Sequence, residues 1–273
     1  MYTLNESPQP VFSFADAEMG ILSSHLIKVI EKVSGQPRLK RLYNKYIEDE
    51  MPACDFWIDA LERLGINIRL KKEHKFSIPN TGPLLCVANH PYGVIDGIVL
   101  CSRLSQVRQD YRILTHRVLQ APAVKDKILP VFFDGTPAAL KSNLETRAEA
   151  TSFLKAGGAI IIFPAGAISL SKKIVNSAFD APWKTFAAKL ALHPDTVTLP
   201  FFFEGKNSIL FQISQKFSLT LGCALMFHET CRLMGTSIEV QMRAPLDSEH
   251  LKKIGSRADV TNYLRSRTYG FTY

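Results

Sequence analysis

Apolar and polar positions recur along this chain with two different periods. From Asp16 to about Val33, the residues Met19, Ile21, Leu22, Leu26, Ile27, Val29, Ile30 and Val33 return at helical spacing, which predicts an amphipathic helix stopped by Ser34-Gly35-Gln36-Pro37. Further helices are predicted over about Leu39–Ile47 and from Cys54 to Leu64, the latter ended by Gly65, while residues 1–14 read as an irregular arm. Ile66–Pro79 reads as a strand and turn, and from there the period changes. Continuously apolar runs of strand length (LLCVAN, YRILTH, ILPVFF, AIIIFP, TVTLPFFFEG) alternate with helical stretches. Those stretches are YGVIDGIVLCSRLSQV, a short piece after YRILTH, PAALKSNLETRAEATSFLKAGG, APWKTFAAKLALH and a long helix around Leu219–Leu233, after which SIEVQMRAPLD forms the last strand. Strands apolar on both faces and separated by helices predict an α/β fold, with a mainly parallel central sheet flanked by helices. Nothing in the pattern marks a repeat or a linker, so residues 1–273 are expected to form a single domain, with 1–65 as a helical layer packed on or extending from the core. The apolar stripes of that layer either cover the core or face a membrane.

Composition narrows the partners. At 46% hydrophobic and 21% charged, the chain of 273 residues can bury a sizeable core. Cys54, Cys86, Cys101, Cys223 and Cys231 are scattered without CxxC or Cys/His spacing, which predicts thiols of a reducing compartment and no metal site. A net charge of +8 suits an acidic carrier protein or an anionic membrane surface. The lack of arginine-glycine tracts, zinc fingers or RNA-binding aromatic signatures argues against nucleic acid. The start, MYTLNESPQP, lacks a signal-peptide pattern, and no apolar run reaches the roughly eighteen residues of a membrane span, so any membrane contact is expected to be peripheral.

Functional groups of open α/β sheets gather at the carboxyl ends of the strands. One such end, NHPYGVID, carries Asn89, His90 and Asp96. An aspartate accepting from one imidazole nitrogen fixes the tautomer and raises the basicity of the other, giving a positioned general base. The same spacing also suits a helix cap beside a satisfied core histidine. With no GxSxG elbow and no adjacent cysteine, such a base would act directly on a substrate hydroxyl or amine. A second strand end, AIIIFPAGAISLSKK, offers Phe163, Pro164, Ala165 and Gly166, then Ser169, Ser171, Lys172 and Lys173, as either an anion or oxyanion site or a plain turn with a basic tail. LPVFFDG and TLPFFFEGKNS are two more apolar strands, each with a proline and ending in an acid plus glycine. Asn143 and Arg147 share one helix face, either reaching a polar head group or simply exposed.

Taken in order, NHPYGVIDG, LPVFFDG, IIFPAGAIS and TLPFFFEGKNS resemble the glycerolipid acyltransferase family, the lysophospholipid acyltransferases related to bacterial 1-acylglycerol-3-phosphate acyltransferases. They are most similar to its subgroup labelled "putative hemolysin" acyltransferases. VSGQPRLKRLY, APWKTFAAKLA and YLRSRTYGF are further landmarks of the resemblance, which spans nearly the whole chain. It implies an O-acyltransferase of phospholipid and lipid metabolism. The fatty acyl group would pass from acyl-carrier protein or acyl-CoA to a hydroxyl of a lyso-lipid acceptor, without an acyl-enzyme, a metal or a resident cofactor. His90 would be the base and Asp96 its orienter. Asn89, Phe163, Pro164, Ala165, Gly166, Asn143, Arg147 and Lys172 would bind substrate, and the enzyme would work peripherally at the cytoplasmic face of a membrane. Two departures stand out. His90 and Asp96 are spaced H-x5-D where the family has H-x4-D, and FPAGAIS replaces FPEGTRS, losing an acid and an arginine that help hold a glycerol-phosphate head group. The competing expectations are a lipid or thioester hydrolase and a catalytically silent membrane-binding protein on the same fold.

Overall fold

The structure is a computed structural model. It describes residues 13, 15, 21–52, 55–71, 76–119, 121–133, 135–172 and 176–271. Most of the predicted N-terminal arm, together with Asp16, Met19, Cys54 and Lys173, lies outside the described residues. In chain order the elements are α1 (Ile21–Val33), α2 (Gln36–Glu48), α3 (Phe56–Leu64), β1 (Asn67–Leu70), β2 (Leu84–Ala88), α4 (Val94–Ser105), β3 (Tyr111–His116) and β4 (Ile128–Val131). They continue with α5 (Pro137–Lys155), β5 (Ala159–Ile162), β6 (Leu170–Ser171), β7 (Ala178–Phe179), α6 (Phe186–Ala191) and β8 (Val197–Phe203). Last come α7 (Ile209–Phe217), α8 (Leu219–Ala224), α9 (Met226–Arg232), β9 (Ser237–Met242), β10 (Leu246–Asp247), α10 (Ser248–Lys252) and α11 (Arg257–Tyr269).

The fold is α/β, with the main sheet ordered β1-β9-β8-β2-β5-β3-β4 and β10 also paired to β8. The central neighbours β8, β2, β5, β3 and β4 run parallel; β8 meets β9 and β10 antiparallel. Side chains alternate across each strand. Leu84 and Cys86 of β2 therefore pack toward Trp57, Leu61, Val99 and Leu104 of the helices on one face, while Leu85 and Val87 pack toward Ala150, Leu154, Ala187 and Leu264 on the other. All of LLCVA and AIII are buried, as strands covered on both faces must be.

Prolines within strands sit where a missing N–H costs no ladder bond. Pro130 lies in β4, at the end of the strand order. Pro200 lies inside β8 between its pairing with β10 (Thr198↔Leu246) and with β9 (Phe201↔Met242).

Several elements differ from the expected pattern. The helix expected over APWKTFAAKLALH is confined to α6, because the chain before it lies across Pro164, whose carbonyl accepts from Lys184 N at 2.9 Å. The long helix around Leu219–Leu233 is two helices, α8 and α9, meeting at Leu225, and α7 precedes them behind a Ser208 cap. Helices α10 and α11 were not expected. α11 starts with a capping box in which Ser256 and Asp259 satisfy each other's backbone N–H. Among the described residues no helix is long and apolar enough to cross a membrane.

Candidate active site

β2 lies between β5 and β8, so its carboxyl end opens at the middle of the sheet. Asn89 is buried there. Its amide donates to the Phe203 carbonyl at 2.8 Å and accepts from the Phe203 N–H at 2.7 Å, which locks the turn to the end of β8. A second lock comes from Tyr92, whose hydroxyl donates to the Glu204 carbonyl at 2.7 Å. Gly205 lets that contact form, since a Cβ there would stand 1.7 Å from the hydroxyl oxygen. Burial pushes the Tyr92 phenol up to about 12, so it remains a donor at any working pH.

Between these locks the chain turns at Gly93 (φ 73, ψ −111) and enters α4. Gly93 gives the H-x5-D stretch a positive φ that other residues rarely adopt. One oxygen, Oδ2 of fully buried Asp96, gathers the turn: it accepts from the N–H groups of Tyr92 and Gly93, both at 2.9 Å, and lies 3.0 Å from Nδ1 of His90 on a bent line. The oxygen that caps the helix and the oxygen nearest the imidazole are therefore the same one. Burial raises the Asp96 carboxyl above its ordinary value, against the His90 contact and the two N–H groups that favour its charged form. The His90 ring stacks on Phe163, with centroids 3.9 Å apart and planes 23° apart.

His90 faces a cleft of about 310 Å³, lined on one side by Phe163, Pro164 and Gly166 and elsewhere by Arg147, Lys184 and Met226. No Asp or Glu is among its described lining residues, so its charge is cationic. Cys223 lines the cleft as well, but burial pushes its thiol up to about 11, which leaves little nucleophilic thiolate at neutral pH. A second, apolar pocket of about 150 Å³ lies behind, among α2, α3, α4 and β3, and shares Val94, Gly97, Thr115 and Leu119 with the cleft.

Of the residues expected at the site, His90, Phe163, Pro164, Gly166, Asn143 and Arg147 line the cleft. Arg147 lies over the Phe186 ring at 5.6 Å. Asn143 spends its amide on the backbone of Phe132, at 2.8 and 2.9 Å, repeating at β4 what Asn89 does at β2. Three expected substrate-binding residues lie elsewhere. Asn89 is consumed by β8, Ala165 is buried in the core beside Trp183, and Lys172 is exposed just after β6, outside the cleft lining. The cation beside the FPAG turn is instead Lys184, whose ammonium is close enough to Gly166 that a Cβ there would stand 2.8 Å from it. Lys184 sits in the APWKTFAAKLA stretch, and its only sequence signal was that stretch.

A sequence profile described as Acyltransferase (Acyltransf_2) matches residues 43–272. No curated protein matches the sequence significantly. Among solved structures, the fold is similar to a crystal structure of the 1-acyl-sn-glycerophosphate (LPA) acyltransferase PlsC from Thermotoga maritima. That match has TM-score 0.51 and 17% identity, over 83% of this chain and 78% of that one. With the profile match spanning most of the described fold and the His90–Asp96 turn within it, the chain belongs to the acyltransferase family.

Proposed function

We propose that the protein transfers a fatty acyl group from an acyl thioester, acyl-carrier protein or acyl-CoA, to a hydroxyl of a lyso-lipid acceptor. The observation carrying this reading is the buried Asp96 carboxyl 3.0 Å from the His90 imidazole in the lining of a cationic cleft that shares Val94, Gly97, Thr115 and Leu119 with an apolar pocket. The acceptor hydroxyl gives its proton to the free ring nitrogen of His90 while its oxygen attacks the thioester carbonyl carbon. The tetrahedral intermediate collapses with cleavage of the C–S bond, and the leaving thiolate takes the proton back from the imidazolium. The products are an ester and a free thiol. In the resting site the Asp96 charge is costly to bury; once the ring is protonated that charge has a counter-ion, so the pair is stabilised most where the reaction needs it.

The apolar pocket suits the acyl chain, and Arg147 with Lys184 suits an anionic head group, replacing the arginine that FPAGAIS lacks. Leu26 and Val33 of α1, and Ile209, Leu210 and Phe217 of α7, are exposed apolar side chains. Gln215 at the end of α7 lines the cleft, which supports docking of this side on a membrane surface.

The test is a product assay with palmitoyl-carrier protein and palmitoyl-CoA against a panel of lyso-lipids of different head-group charge. A diacyl product made fastest from anionic acceptors is expected, and free fatty acid as the sole product would replace the transferase with a hydrolase. Gly97 lines both cleft and pocket, with a Cβ there falling 3.3 Å from Ile113. In the same assay Gly97→Leu is expected to shift the preference for long over short acyl chains by about tenfold toward short ones, at an overpacking cost of about 1–3 kcal/mol in stability.

A further inference from the structure

Beneath the His90 turn lies a second buried carboxylate that the proposed chemistry does not use. Asp180 is 5% exposed, and its side chain gathers three donors. Oδ1 accepts from Ser169 Oγ and from the backbone N–H of His90 at 3.2 Å, and Oδ2 accepts from the Trp183 indole N–H at 2.7 Å. The carbonyl of His90 accepts from Ser169 N at 2.8 Å. Both peptide groups of His90 are therefore held by one Ser169–Asp180 pair. Asp180 is itself anchored to the last helix: its N–H donates to the Tyr269 hydroxyl at 2.8 Å, and its carbonyl accepts from Arg265 at 3.0 Å. Tyr269 is fixed in turn by the rings of Phe179 at 5.4 Å, Phe202 at 5.5 Å and Phe271 at 5.6 Å.

We infer that Asp180 is a positioning residue that sets the place of the His90 backbone, and so of its imidazole, and that the C-terminal end of α11 is part of the same support. Three restraints then locate the ring. Asp96 lies against one nitrogen, Phe163 stacks on the face, and Asp180 holds the main chain. Burying a carboxylate is costly unless its oxygens are fully engaged, and here three donors converge on one. This also gives two sequence landmarks a common purpose, because Trp183 of APWKTFAAKLA and Arg265 and Tyr269 of YLRSRTYGF meet at Asp180. A misplacement of about 1 Å at a reacting group costs on the order of 10²-fold in rate, which is the scale on which such a support acts.

The inference rests on the acyl-transfer reading for its kinetic test, and a second readout stands free of it. Asp180→Ala and Asp180→Asn are compared with Arg108→Ala. Arg108 bonds Asp110 and the carbonyls of Gly82 and Gly157 at the opposite end of the sheet, so it serves as a stability control. Asp180→Ala is expected to lower kcat on the order of 10²-fold with KM for the thioester within about threefold. Asp180→Asn keeps an acceptor for His90 and Ser169 and is expected to recover about tenfold of that loss. Arg108→Ala is expected to lower the melting temperature with kcat within about twofold. In protein labelled at histidine Cε1, the signal that vanishes in His90→Ala is expected to move in both Asp180 variants and to stay in place in Arg108→Ala. A kcat for Asp180→Ala within twofold of wild type, a loss matched by Arg108→Ala, or an unmoved His90 signal overturns the inference. If Asp180→Ala does not fold, Asp180→Asn and Tyr269→Phe decide it by the same signal. A wild-type protein without turnover sinks the acyl-transfer reading and leaves the His90 signal to decide this one.

Discussion

Replacing His90 with alanine lowers kcat by about 10²–10⁴-fold, the range that loss of a positioned general base produces. The protein stays folded. His90 leaves behind an Asp96 carboxylate that still accepts from the Tyr92 and Gly93 N–H groups, and an exposed face on Phe163. Losing one partner of a buried carboxylate costs about 1–3 kcal/mol, or a melting temperature lower by several degrees in a chain of this size. The KM for the thioester should hardly move, because the apolar pocket proposed for the acyl chain is not lined by His90. Circular dichroism and thermal melts establish the fold, and steady-state kinetics separate kcat from KM. A folded variant with kcat within a few-fold of wild type would remove His90 from the chemistry.

Asp96→Asn should lose activity and gain stability together. The asparagine oxygen still accepts from the backbone N–H groups of the turn, so the cap of α4 survives. With that oxygen kept against the two N–H groups, the side chain meets Nδ1 of His90 only as a neutral acceptor, and the imidazolium formed on proton transfer loses its counter-ion. The loss expected is again about 10²–10⁴-fold in kcat. The stability change follows from burial, which raises the Asp96 carboxyl in the folded state. A carboxyl with a raised folded pKa contributes its full stability below the unfolded value of about 3.9, and that contribution is lost as pH climbs through the folded value. Asparagine does not titrate. The melting temperature of the variant minus that of wild type should therefore grow from about pH 4 upward and then level off. A difference that shrinks as pH rises would mean that the turn's donors outweigh burial in setting the Asp96 charge.

Much of this arrangement was legible in the chain because the central strands are apolar on both faces. β2, β5 and β8 announce a covered parallel sheet, and their carboxyl ends announce where to look. His90 and Asp96 were visible as a pair, but spacing left cap and orienter as alternatives. The fold puts one oxygen both against the turn's N–H groups and beside the imidazole, so no spacing rule could have separated them. The two asparagines were less legible. An amide at a strand end can meet a ligand or a neighbouring backbone with equal chemistry, and the partner of Asn89 lies 114 positions away. Lys172 looked closer to the FPAG turn than Lys184 only along the chain; the β6–β7 pairing carries Lys172 away, and the segment crossing Pro164 brings Lys184 in. Helix α11 was hidden by its polar composition, although Ser256-Arg257-Ala258-Asp259 is a readable capping box.

The central claim is that the His90–Asp96 pair activates the acceptor hydroxyl for direct attack on the thioester. The measurement that tests it most directly is the rate of free-thiol release from an acyl thioester with and without lyso-lipid acceptor, with the intact mass of the protein read during turnover. Direct transfer predicts thiol release that depends on the acceptor, matches ester formation one for one, and leaves the protein mass unchanged. Release at the same rate without acceptor, or a protein heavier by one acyl group at a position such as Cys223, would contradict it.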